Sequence, residues 1–112
     1  MLTANAQRAI GRRAGQMRWQ GRSGRQYALD QKSLEHFAME DTCLYLIAKG
    51  SHVLWVGSTQ DLVADPMSRT RFRLALDCAT DVYSLPAPEH RLAMISDLEQ
   101  AAPASEAVAQ AA

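Results

Sequence analysis

The chain has no long apolar run. No stretch approaches the roughly 20 apolar residues that carry a helix across a bilayer, so no membrane span is expected. Cysteine is scarce too. Cys43 and Cys78 are the two present, and they form no C-x-x-C pair. They read as small buried apolar side chains, not as a disulfide framework or half a zinc site. His36, His52 and His90 are scattered without ligand spacing, so no metal site is expected. Arg8, Arg12 and Arg13 are followed by no apolar segment of the secretory kind. An intracellular, cytoplasmic protein is the expectation, although an Arg-rich, acid-poor leader is also compatible with a transit segment.

Acidic residues are missing from the first 25 positions. That stretch carries six arginines, Arg8, Arg12, Arg13, Arg18, Arg22 and Arg25, and no Asp or Glu. The remainder carries six basic and twelve acidic side chains. A net charge of zero thus conceals a basic arm of +6 on an acidic body of −6. Such an arm suits nucleic acid, a membrane surface or an acidic protein face. It is equally consistent with a solvated tail, or with an arm folded back on its own body.

At 112 residues there is room for one domain. Residues 1–17 read as a basic, flexible arm, with a frayed helix around Ala6–Ala14 as the alternative. Trp19, Tyr27 and Leu29 flank a Gly21-Arg22-Ser23-Gly24 turn and predict a β-hairpin. Cys43–Ala48 is a continuous apolar run, as expected of a strand buried on both faces. It ends at Lys49-Gly50-Ser51, and His52–Gly57 follows as its hairpin partner. A helical stretch begins at Asp61-Leu62 and restarts at Asp65-Pro66, with Asp65 as cap and Pro66 in the first turn. Phe72, Ala75, Leu76 and Ala79 recur at helical spacing and predict a core-facing stripe. Asp81–Leu85 reads as a half-buried strand. Pro88 opens a last helix, with Glu89 in its first turn and Leu92, Ile95 and Leu98 inward. From Ala101 the composition predicts a disordered, Ala-rich tail, 101–112. The fold class is α/β (α+β): a small central sheet in the order β-β-α-β-α, preceded by a hairpin, over residues 18–100.

Three stretches give this order a family likeness: Leu44-Tyr45-Leu46, Trp55-Val56-Gly57-Ser58-Thr59 with Asp61-Leu62, and Arg91–Leu98. With the leading Gly21–Tyr27 segment, they resemble the GIY-YIG endonuclease superfamily, including one bacterial branch of it. The resemblance implies a nuclease site built from two hairpin tyrosines, an arginine on the first helix and a glutamate on the last. The glutamate would hold a divalent cation, Mg or Mn, that polarises the phosphate. Tyr45 matches the first tyrosine. The second falls on Trp55, whose indole has no hydroxyl. The arginine falls on Asp65 and the glutamate on Ile95. Three of the four groups are therefore absent. A relocated set would consist of Tyr45, Arg69 and Glu99, since Arg69 and Glu99 each lie four residues past the vacated position.

The expectation is a non-catalytic GIY-YIG-like binding module. It would contact DNA or RNA through Arg12, Arg13, Arg18, Arg22 and Arg25, helped by Arg69 and Arg73, which share a helix face. The alternatives are a protein-interaction or self-associating scaffold, and a metal-dependent endonuclease with the relocated residues. No cofactor is expected outside the nuclease alternative.

Overall fold

The computed structural model describes residues 15–104. Arg8, Arg12, Arg13 and the Ala6–Ala14 segment lie outside the described residues. The elements, in chain order, are β1 (Gln16–Gln20), β2 (Gln26–Lys32), β3 (Cys43–Lys49), β4 (His52–Gly57), α1 (Thr59–Ala64), α2 (Pro66–Cys78), β5 (Asp81–Pro86), α3 (Arg91–Leu98) and β6 (Ala102–Pro103). The predicted α+β class and strand–helix order hold. The six strands form one antiparallel sheet in the order β4-β3-β5-β2-β1-β6.

Glycine sets both hairpin turns. Gly24 at φ 92° donates its N–H to the Gly21 carbonyl, 3.0 Å away, and closes the β1–β2 turn. Gly50 at φ 59° opens the two-residue β3–β4 turn. Both need the positive φ that glycine adopts without strain.

β3 is covered on both faces, as its apolar run predicts. One face packs Leu44, Leu46 and Ala48 with Trp19, Leu29 and Val56 under α3, through Met94, Ile95 and Leu98. The other packs Tyr45 and Ile47 with Trp55 and Val82 under α2, through Phe72, Ala75 and Leu76. Asp65 caps α2 by accepting the Met67 N–H, with Pro66 at the first helical position.

Several expectations need correction. β5 is buried on both faces from Val82 to Leu85, because Tyr83 and Leu85 pack in the cluster under α3 and Val82 in the one under α2. The last helix starts at Arg91, not Pro88, so Glu89 precedes it. Ala87 precedes a proline, which disfavours helical backbone, and its N–H is held by the Thr42 carbonyl at 2.9 Å. Met94 joins Ile95 and Leu98 in the core, and Leu92 is 67% exposed. Cys43 is half-buried and Cys78 is exposed at the end of α2. The tail is ordered through Ala104. Ala102 and Pro103 pair with Gln20 and Trp19, and Ala101 and Ala104 are buried, because a small side chain fits beside the Trp19 edge of the sheet. Residues 105–112 lie outside the described set. The hairpin strand begins at Gln16, two residues into the segment read as arm. Among the described residues, no helix is long and apolar enough to cross a membrane.

Candidate functional site

Tyr45 projects from β3 into the core beneath α2. It is 1% exposed, and its ring meets Phe37 edge-on at 5.4 Å. Its hydroxyl accepts the Glu40 N–H at 2.6 Å. Burial pushes the hydroxyl above the ordinary tyrosine range, and the Glu40 N–H only partly opposes this. Burial makes it harder for this hydroxyl to give up a proton.

Trp55, on β4, points into the same core. Its indole N–H donates to the Ser68 hydroxyl at 3.2 Å, and its ring lies edge-on to Phe72 at 4.9 Å. Gly57 makes room for it: a Cβ there would come within 2.6 Å of the indole ring. Asp65 is occupied as the α2 cap, and Ile95 is buried against the sheet. Each side chain standing where the resemblance asks for chemistry is thus engaged in packing or capping.

The relocated set does not converge. Arg69 donates from Nη1 to the Leu62 carbonyl at 2.7 Å and so satisfies the end of α1. Glu99 follows α3 and lines a cleft of ≈ 330 Å³ beside β4. Asp61, Asp65, Ser68, Arg71 and Leu92 also line that cleft, but Tyr45 and Arg69 do not. Among the described residues, no three His, Cys, Asp or Glu side chains approach closely enough to share a metal ion.

Two carboxylates not read as site residues in the sequence each organise a local cluster, Asp61 at the cleft and Asp97 at the β1–β2 turn. Asp61 accepts the Ser58 N–H at 2.7 Å and hydroxyl at 2.9 Å, and Arg91 Nη1 at 2.8 Å. Burial alone would raise its pKa, but the Arg91 and Ser58 hydrogen bonds hold it below the usual carboxylate range. The S-x-x-D spacing of Ser58 and Asp61 signals the capping part of this cluster. Nothing local signals Arg91, 30 residues on. Asp97 braces the β1–β2 turn, accepting the Ser23 N–H at 2.7 Å, the Ser23 hydroxyl at 2.9 Å and the Tyr27 hydroxyl at 2.7 Å. Desolvation opposes its ionisation, but these bonds and the Arg22 charge lower its pKa overall.

The described arginines of the expected nucleic-acid surface fall into two groups. Arg22 and Arg25 are exposed on the braced turn, and Arg25 lies over the Tyr27 ring at 5.2 Å. Arg18 is exposed on β1, on the face opposite Trp19. That part of the sheet is uncovered and polar, with Gln26, Ala28, Asp30 and Lys32 exposed on the neighbouring strand. Arg69 and Arg73 ride on α2, which packs over β3 and β4. β1 is three strand positions from β3, roughly 14 Å. Among the described residues the one ion pair is Asp61–Arg91.

No protein-family model, curated protein or solved structure matches the chain.

Proposed function

We propose that this chain is a non-catalytic binding module of the GIY-YIG kind that contacts nucleic acid through its basic arm and leading hairpin. One observation carries the reading. Arg18, Arg22 and Arg25 are exposed, have no carboxylate in ion-pair contact among the described residues, and stand on a hairpin fixed by Asp97. They continue directly from the acid-free arm. A fixed turn loses little conformational freedom on binding.

The mode of contact follows from the aromatic residues. Two Trp, three Tyr and two Phe make up the whole set. Trp19, Tyr27, Tyr45, Trp55 and Tyr83 are buried, and Phe37 and Phe72 pack against the core. The arginine-bearing hairpin therefore carries no exposed ring on which a base can stack. Binding then runs through phosphates, with steep salt dependence and little sequence preference.

Fluorescence anisotropy with labelled oligonucleotides across a salt series tests this. Affinity is expected to fall steeply as salt rises. Replacing Arg18, Arg22 and Arg25 together by Ala should weaken binding. It should also reduce the slope of log K against log salt by about 0.9 for each phosphate no longer neutralised. No binding at low salt, or an affinity indifferent to salt, overturns the reading.

A further inference from the structure

The leading hairpin projects past the strand beside it. Within β2, Asp30, Gln31 and Lys32 pair with β5, whereas residues 26–29 have β1 alone as strand partner. Cross-strand pairing fixes which side chains share a face. Trp19 opposite Tyr27 and Met17 opposite Leu29 face the core under α3. The alternate pairs, Gln16–Asp30, Arg18–Ala28 and Gln20–Gln26, therefore share the other face. Arg18, Gln26, Ala28 and Asp30 are exposed there. β6 adds only the Ala102 methyl group to this face, opposite Gln20.

The face is thus a strip of polar and small side chains with Arg18 at its centre. The one acid of the six, Asp30, sits at the end away from the turn and accepts the Gln16 amide at 3.4 Å. Arg22 and Arg25 stand at the turn end. Arg25 lies over the Tyr27 ring, towards the opposite face, which places it for phosphates flanking a groove and not for base edges.

We infer that this strip enters the major groove of B-form duplex DNA, an inference that rests on nucleic-acid binding by the basic hairpin. The B-form major groove is about 12 Å wide and admits a two-stranded ribbon. The major groove of an RNA duplex is too deep and narrow for side chains to read. Single strands are held by stacking on aromatic rings, and the hairpin exposes none. The side chains on the strip suit base edges. Arg18 carries the paired donors that match guanine O6 and N7, and Gln20 and Gln26 carry the amide donor and acceptor that match adenine. The turn arginines complement the phosphates on either side. From Gln16 to Gln20 the strip is roughly 14 Å long, about four base pairs, so base selection adds little to the phosphate contacts.

Anisotropy titrations at low salt with one sequence as duplex DNA, duplex RNA and single-stranded DNA test it. Duplex DNA should bind about tenfold tighter or more than either alternative. In dimethyl sulfate footprinting, guanine N7 in the major groove should be protected and adenine N3 in the minor groove should not. Ala28→Glu puts a carboxylate in the middle of the strip and should weaken duplex binding by about tenfold or more. Val63→Glu, on α1 at a position 80% exposed, adds the same charge elsewhere and should leave affinity unchanged. Circular dichroism and thermal midpoints show that both variants keep the fold. No preference for duplex DNA, unprotected guanine N7, indifference to Ala28→Glu, or equal losses in the two variants overturns groove insertion while leaving phosphate binding in place. No binding to any of the three nucleic acids overturns both.

Discussion

The Asp97 carboxylate accepts the Tyr27 hydroxyl at 2.7 Å, joining residues 70 positions apart in the chain. Asp97 sits in α3 and Tyr27 in β2, so this bond fixes the leading hairpin to the last helix. Gly21 completes the arrangement. A Cβ at that position would lie 2.6 Å from the Asp97 carboxyl carbon.

Asp97→Ala leaves the Tyr27 and Ser23 donors without their partner and should cost about 1–3 kcal/mol. Gly21→Ala should cost a similar amount, because the methyl group displaces the carboxylate. The two changes share one cause and should be non-additive. Urea unfolding of both single variants and the double variant measures the coupling, and simple additivity would contradict the contact.

Alkaline stability reports the same contact. Burial, then the Asp97 hydrogen bond, push the Tyr27 hydroxyl up to about 12. The native state therefore keeps a proton that the unfolded chain releases near pH 10. This contribution is fully present below about pH 10 and is lost as pH rises towards 12. Tyr27→Phe should flatten that loss in a series of thermal midpoints, although raised values at Tyr45 and Tyr83 act in the same direction and should leave some slope.

Acid stability depends on Asp61 and Asp97, both held below the ordinary carboxylate range. Their contribution is present above the unfolded value near 4 and fades as pH falls through the lowered native values. Asp61→Asn should lower the urea midpoint at neutral pH and shrink its decline on acidification. An unchanged acid profile would mean that Arg91 and Ser58 do not favour the charged form.

Tyr45→Phe removes the acceptor of the Glu40 N–H and should cost about 1 kcal/mol. It should not change nucleic-acid affinity, because the buried ring offers no contact. Anisotropy titrations beside thermal melts separate the two effects. A large loss of binding with little loss of stability would return Tyr45 to a functional role.

Much of the fold was legible because its signals are local. The Cys43–Ala48 apolar run marks a strand covered on both sides. Gly50 and Gly24 mark the turns, and Asp65-Pro66 marks a helix start. The half-buried strand expected at Asp81–Leu85 went wrong for a non-local reason: whether both faces are buried depends on which helices cover that part of the sheet. Leu92 went wrong because Leu92 and Met94 lie on opposite flanks of the Ile95–Leu98 stripe, and only packing against the sheet chose Met94. Cys78 follows the same logic, since its exposure depends on where α2 meets the sheet.

The sequence by itself determined the element order through the last helix, the turn positions, the charge division between arm and body, and the absence of three of the four groups that the family resemblance calls for. Each is a property of residue identity or of spacing within a few positions. Tertiary structure alone decided that Tyr45 and Trp55 face one packed core and that Glu99 sits in a cleft without Tyr45 or Arg69. It alone brought Asp61 to Arg91 and Asp97 to Tyr27. These relations depend on β5 inserting between β3 and β2, a pairing of distant segments that no local pattern encodes.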